Sequence, residues 1–464
     1  MTSATTFGND NDGFQAGTIH GPVHNTFHFA PAPLETLLRL SIVIPFARDA
    51  DFVERGTLLD DIRERCAPAG ARIALVGLGG VGKSQLAIEH AYRTRKASPE
   101  TWVLWAHGSS AARLEQSFRD ITNRVKVAGR QDPQANIFKL VHDWLCDSKE
   151  RWLLVLDNVD NAGFLLEAQG AGSKAAGRPL REYLPHCERG SILVTSRNEE
   201  AALKLVEQCD LIALCPMSEG QAQSLLEKKL SVRVAQEAQE DDRTTAELAA
   251  ALECMPLAIV QAAAYISQRA PLCLMAKYLD EYRKSEPKRT SLLNRDEGQL
   301  RRDQEAKNSI ITTWQILFEH IQRARPSAAD LLSLMSFFDR QGIPKSVLQR
   351  PAKQDEGGTS REDYRGGVNS NEGADRLQSD HADNGYEDGS EDDYEDDFDD
   401  DFEDDTKDDS DEDELKDEAF QDDVTALRNF SFISINTDGT GFEMHTLVQL
   451  ATRTWLAAND QHEQ

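Results

Sequence analysis

The eight residues Gly77-Leu78-Gly79-Gly80-Val81-Gly82-Lys83-Ser84 fit the pattern G-x-x-x-x-G-K-[ST], which constrains the fold more than any other feature of the chain. Glycines let the backbone curl until successive N–H groups point at one spot, and the positive N-terminus of a following helix adds to the attraction for phosphate. Such a loop needs a buried strand before it and a helix after it. Ile73-Ala74-Leu75-Val76 is a short apolar run with β-formers, and Gln85 to Tyr92 repeats Ala87/Ala91 and Ile88/Tyr92 at i, i+4 as a packed face does. Here Lys83 is expected to reach the β- and γ-phosphates of a nucleotide, and Ser84 to offer its hydroxyl to Mg²⁺. Gly77, Gly79, Gly80, Val81 and Gly82, with Gln85 on the helix, complete the expected phosphate site.

The alternation of strand and helix continues. Thr101 to Ala106 predicts a strand, Ala111 to Val125 a helix, and a further helix near Ile137 to Leu145 precedes the apolar run Arg151 to Asp157. That run ends in an acid, where a buried parallel strand emerges at the ligand edge. Ser191 to Arg197 repeats the design and Leu211 to Leu214 does so in shorter form. These elements predict an α/β fold with a doubly wound parallel sheet over residues 45–216. From Ser218 the pattern turns helical, giving a helical domain over 217–300. Further helices are expected at Ser309 to Ile321 and Ala328 to Phe338. After Ile343-Pro344 apolar residues almost vanish until Val424; then come Phe432 to Ile435 and Phe442 to Met444, with Asp438-Gly439 as a hairpin signal, and an amphipathic Leu447 to Leu456. No internal repeat of solenoid or propeller period is present.

The net charge of −29 is unevenly spread: Asp380 to Glu418 holds 24 acidic residues against Lys407 and Lys416. Residues 351–423 cannot bury enough apolar surface to offset chain entropy, so they are expected to be a disordered acidic insert. The rest is mildly acidic and carries no basic stripe, which argues against a nucleic-acid partner. Seven scattered cysteines without a C-x-x-C pair are expected to be reduced core residues of a cytoplasmic protein. No signal peptide and no membrane span are expected, since no window approaches 18 apolar residues.

In this order the motifs resemble the NB-ARC switch of the STAND class of P-loop NTPases, a family of animal apoptosis adaptors, plant resistance proteins and fungal incompatibility proteins. The resemblance runs from about Pro45 to Leu456, apart from the acidic insert. It implies that Pro45-Phe46 through Phe52-Val53-Glu54-Arg55 helps to form the adenine pocket, with Val53 against the base. It implies that Asp157 holds Mg²⁺ through its water shell and that Arg197 reads the γ-phosphate. Many relatives place a second acid after the first as the base that orients water. This chain has Asn158 there, and Asp160 lies further on, so binding with slow hydrolysis at most is implied. Cys254-Met255-Pro256-Leu257-Ala258 occupies the place of the family's Gly-Leu-Pro-Leu-Ala motif, whose proline packs on adenine. Met444-His445-Thr446 stands where relatives carry Met-His-Asp, so His445 is implied to contact the β-phosphate of ADP from a winged-helix domain formed by 301–350 and 424–458.

Residues 1–33 form a separate tail closed by Pro31-Ala32-Pro33. Within it, residues 7–29 resemble the amyloid signalling motif with which fungal switch proteins template a cell-death effector. Val23, Asn25, Phe27 and Phe29 alternate with His24, Thr26 and His28 at the period of a strand; a plain disordered leader is the other reading. The resemblance implies an ADP-bound closed state, and opening and homo-oligomerisation with ATP. Relatives usually continue into a repeat sensor, whereas fewer than ten residues follow Trp455. A truncated product, a regulatory subunit and a trigger bound elsewhere all remain open. A conventional ATPase and an inert scaffold are the competing functional readings.

Overall fold

The computed structural model describes residues 42–166, 178–230, 242–294, 309–349, 409–436 and 439–460. The tail at 1–33, with the motif expected at 7–29, and residues 351–408 of the acidic insert lie outside the described residues. The chain divides into two compact units, Met1–Ser285 with Arg295–Ile310, and Glu286–Asn294 with Ile311–Gln464. The helical domain expected over 217–300 is therefore cut: residues 286–294 group with the second unit.

The first unit is built on six parallel strands, β1 (Ile42–Val43), β2 (Arg72–Val76), β3 (Trp102–His107), β4 (Trp152–Asp157), β5 (Gly190–Ser196) and β6 (Leu211–Ala213), in the order β1-β3-β4-β5-β2-β6. Their sequences are almost continuously apolar because both faces are covered. Helices α1 (Leu58–Cys66), α2 (Lys83–Ala97), α3 (Ala111–Val125), α4 (Ile137–Asp147), α5 (Gly163–Leu166) and α6 (Glu199–Leu203) connect them. Ala74, Leu104, Leu154 and Val194 point to one face, in a single core with Phe118 and Ile121 of α3 and Val141 of α4. Ile73, Leu75, Val103, Val155 and Leu193 point to the other and are also buried. Among the described residues four further helices follow, α7 (Glu219–Lys229), α8 (Asp242–Ala251), α9 (Pro256–Arg269) and α10 (Met275–Lys284). A capping box between Ser218 and Gln221 starts α7.

The edge strand β1 was not expected: Ile42 and Val43 pair with Val103 and Leu104, just before the expected start of the α/β region at residue 45. Its signal, three consecutive β-branched residues at Ile42-Val43-Ile44, is too short to stand out from sequence alone.

The second unit holds α11 (Glu286–Leu293), α12 (Ile310–Ala324), α13 (Pro326–Met335), strand β7 (Ile343–Pro344), α14 (Lys345–Leu348), α15 (Asp409–Asn429), strands β8 (Ile433–Ile435) and β9 (Gly441–Met444), and α16 (Thr446–Asp460). Its sheet is antiparallel in the order β7-β9-β8. Order resumes earlier than expected, since α15 begins at Asp409 rather than at Val424. Part of the acidic run is thus helical, and its end is anchored: Arg325 pairs with Asp422 and Asp423, and Ser327 Oγ donates to Asp423 Oδ1 at 2.7 Å. Val424 and Leu427, one helical turn apart, are buried below that anchor.

Gly190 faces Trp152 across the β4–β5 pair, and a Cβ there would meet the indole Cζ2 at 2.0 Å. Trp152 is fixed in place, buried and donating its Nε1 proton to Leu145 O at 3.0 Å. Gly190→Ala is expected to cost on the order of 2 kcal/mol by overpacking. Urea denaturation followed by tryptophan fluorescence checks this, and an unchanged midpoint would show that the contact relaxes freely.

Candidate functional site

The phosphate loop leaves the C-terminal end of β2, between β5 and β6, and runs into α2 through Gly82, whose φ is 100°. Two of its glycines are required by space as well as by backbone angle. A Cβ at Gly77 (φ 149°) would lie 2.4 Å from Leu214 O, and one at Gly80 (φ 90°) would lie 2.9 Å from Leu257 Cβ. The close approach to Leu257 also carries a hydrogen bond, since Leu257 N donates to Gly80 O at 3.1 Å. Pro256, the first residue of α9, comes within 3.9 Å of where a Gly82 Cβ would be.

Two successive left-handed residues turn the chain into α9, Glu253 at φ 52° and Cys254 at φ 53°. They end α8 with Glu253 N on Ala250 O and Cys254 N on Ala249 O, a Schellman arrangement whose left-handed position favours glycine. That position is Glu253; Cys254, one residue on, is left-handed as well.

Lys83 is buried, and its Nζ donates to Gly77 O at 2.6 Å and Leu78 O at 2.9 Å. Burial, helped by the nearby Arg197, pushes its ammonium down to about 7, against the pull of Asp160 and Asp157. Ser84 Oγ donates to Asp157 Oδ1 at 2.7 Å, and Thr195 Oγ1 donates to the same oxygen at 2.6 Å. Because β5 lies between β2 and β4, Thr195 is the side chain that bridges the loop strand and the acid strand. Gln85 is half-buried on the first turn of α2.

Asn158 takes a left-handed backbone, φ 64°, and its N–H donates to Thr195 Oγ1 at 2.9 Å. Arg197 donates from Nη2 to Asn158 Oδ1 at 3.4 Å and from its backbone N–H to Asp160 Oδ1 at 2.7 Å, and its Nε lies 3.4 Å from Asp160 Oδ2. Asp160 is therefore a partner of Arg197.

The segment before the loop is anchored on both sides. Glu89 of α2, a buried carboxylate, accepts from Arg48 at 2.8 and 2.7 Å and from Arg93 at 2.7 Å. The hydrogen bonds from Arg48, then those from Arg93, hold it below the usual carboxylate range in spite of burial. Lys229 Nζ at the end of α7 pairs with Asp49 at 2.8 Å and Asp51 at 3.1 Å. Val53 is buried between these anchors. Arg55, which sequence reasoning did not single out, is buried with its Nη1 donating to Val81 O at 2.8 Å and its Nη2 to Cys215 O. Burial pushes its guanidinium down. No sequence signal marks it, because both carbonyl partners are distant in the chain.

The structure thus brings together Lys83, Ser84, Asp157, Arg197 and the loop glycines, with Pro256 beside Gly82. His445 belongs to the second unit, where its ring lies 5.6 Å from that of Trp314 and its Nδ1 accepts from Leu447 N at 3.2 Å. The donor set of the first unit fits a phosphate with a hard cation: a buried ammonium, converging N–H groups, and a hydroxyl–carboxylate pair of oxygens. Magnesium would take its protein oxygens from Ser84 and Asp157, and there it would neutralise phosphate charge.

A bound phosphate favours the charged form of Lys83. At pH 8, above the ammonium's depressed value and below the ordinary 10.5, nucleotide binding is therefore expected to take up about one proton, falling toward zero at pH 6. Calorimetry in buffers of different ionisation enthalpy measures this, with Lys83→Met as control; no uptake at pH 8 would contradict the assignment.

Residues 56–236 match the NB-ARC domain family. A nucleotide-binding leucine-rich repeat (NLR)-like protein of Hyaloscypha variabilis is 33% identical over 329 residues, covering 68% of this chain and 32% of that protein. The regulatory protein AfsR of Streptomyces griseus is 26% identical over 264 residues, covering 55% of this chain and 25% of its own length. The chain thus spans no more than about a third of these two relatives. A solved Walker-type ATPase of Pyrococcus abyssi covers 88% of this chain and 98% of its own, at 10% identity and a TM-score of 0.44. Among the described residues no helix is long and apolar enough to cross a membrane. Residues 56–236 are accordingly an NB-ARC domain, a nucleotide-binding domain of the P-loop NTPase class, in a chain similar to an NLR-like protein over 68% of its length.

Proposed function

We propose that the protein is an ADP/ATP-binding regulatory switch in fungal innate-immunity or incompatibility signalling, closed with ADP and driven by ATP to open and assemble with copies of itself. Lys83 and the loop N–H groups hold the β-phosphate, Ser84 and Asp157 hold Mg²⁺, Val53 and Pro256 flank the adenine, and Arg197 reads the γ-phosphate. In the closed state His445, carried by the second unit as a winged-helix lid, contacts the β-phosphate of ADP. The tail at 7–29 then passes the signal to a cell-death effector, its local concentration raised by assembly.

The observation that carries this reading is the pairing of Arg197 with Asp160 and Asn158. A working ATPase needs a base aimed at water beside the γ-phosphate. Here the first residue after Asp157 is an amide and the nearby acid is engaged by the sensor arginine, so the site is better suited to holding and distinguishing phosphates than to turnover. The contact of Leu257 N with Gly80 O supports a coupling of the helical segment to the occupied loop. ATP in place of ADP offers Arg197 a new partner, and such a differential contact is what a ligand needs to shift a conformational equilibrium.

Protein purified without added nucleotide is expected to release one ADP per chain on denaturation, read by chromatography. A chain that arrives empty and then turns over many ATP per minute would favour the conventional ATPase instead.

A further inference from the structure

A second cavity lies at the opposite edge of the six-stranded sheet. It has a volume of about 280 Å³ and opens between the first residues of β4 and β5, the end of α1 and the last turns of α2. Trp152 begins β4 and Asp157 ends it, so at about 3.3 Å per residue the cavity lies roughly 17 Å from the phosphate site. Its floor is apolar, formed by Leu59 and Leu153, both buried, while the Trp152 indole turns to the other face of the sheet, toward α4.

Its rim carries Arg63, Arg93, Arg151 and Arg189, with Asp60 as the one carboxylate among the lining residues. This reverses the sign of a chain whose net charge is −29. Two of the arginines are neutralised: Arg63 pairs with Asp60 at 3.0 Å, and Arg93 with Glu54 and Glu89. The other two are not. Arg151 donates to Ala67 O at 3.1 Å and Arg189 to Lys149 O, and among the described residues neither has a carboxylate partner. One backbone carbonyl takes one of a guanidinium's five N–H donors, which leaves a fork on each. The positive field extends inward to His90, 5% exposed, whose imidazolium is pushed down to about 4 by burial, then by Arg63 and Arg93.

The same walls limit what can bind. Helices α1 and α2 both end here, and the partial negative charge of two helix C-termini opposes a dense polyanion such as a polyphosphate. One delocalised negative charge on an apolar body meets both the two arginine forks and the leucine floor. Cys66, also in the lining, is pushed up to about 12 by burial, so its thiol is no nucleophile near neutral pH.

We propose that this cavity binds a small amphipathic organic monoanion, an aromatic or aliphatic body with one carboxylate, seated on Leu59 and Leu153 with its charge between Arg151 and Arg189. The site is separate from the nucleotide site and does not depend on the switch reading.

The probe is 8-anilinonaphthalene-1-sulfonate, whose sulfonate stands for the carboxylate, titrated into the full chain with MgADP present. One probe per chain is expected to bind. Arg151→Gln with Arg189→Gln, both exposed side chains, and separately Ala97→Trp at the cavity mouth, are expected to weaken it at least about tenfold with the melting temperature unchanged. The neutral N-phenyl-1-naphthylamine is expected to bind at least about tenfold more weakly than the anion. Lys83→Ala is expected to leave probe binding intact, so a failed nucleotide assignment would not be mistaken for a failure here. The proposal is overturned by absence of binding, by equal affinity for the neutral analogue, or by affinity unchanged in both the double arginine variant and Ala97→Trp.

Discussion

The carboxylate of Asp157 decides where the phosphate loop meets the sheet. It ends a fully buried strand, and a charge placed there is tolerable only when hydrogen-bonded. Ser84 and Thr195 supply those bonds from α2 and β5, so three elements distant in sequence converge on one oxygen. The strand order makes this necessary, because β5 separates the acid strand from the loop strand. With Ser84 fixed, Lys83 one residue earlier is turned into the loop, where its ammonium rests on the Gly77 and Leu78 carbonyls.

Two cations, Lys83 and Arg197, are held close to each other near two acids, Asp157 and Asp160. Burial already disfavours the ammonium, and the arginine adds to that cost. A phosphate group adds negative charge between the cations and relieves it. Relief of the repulsion between the buried Lys83 and the half-buried Arg197 therefore adds to the hydrogen bonds with which this site would hold phosphate.

Much of this was legible in the sequence because its signals are local. The loop glycines, the apolar strand before them and the i, i+4 face after them are contiguous, and the acid at the end of the next buried run follows from the parallel-sheet pattern. What was not legible depends on contacts made at a distance. Arg55 reads like any exposed charge until the carbonyls of Val81 and Cys215 are brought to it. Asp160 could have faced a phosphate until Arg197, on the neighbouring strand end, took it up. The helix that begins at Asp409 defies its composition because its far end is held by Arg325 and Ser327. Its buried residues lie at Val424 and Leu427, where sequence did place the return of order.

The most direct test of the central claim is a titration of MgADP into nucleotide-depleted full-length chain, beside the Lys83→Ala variant. One ADP per chain with micromolar or tighter affinity, weakened at least about a hundredfold in the variant (about 2.7 kcal/mol), is the predicted result. Equal affinity in the two proteins would contradict it, since a buried ammonium at the head of the loop helix would then contribute nothing to holding phosphate.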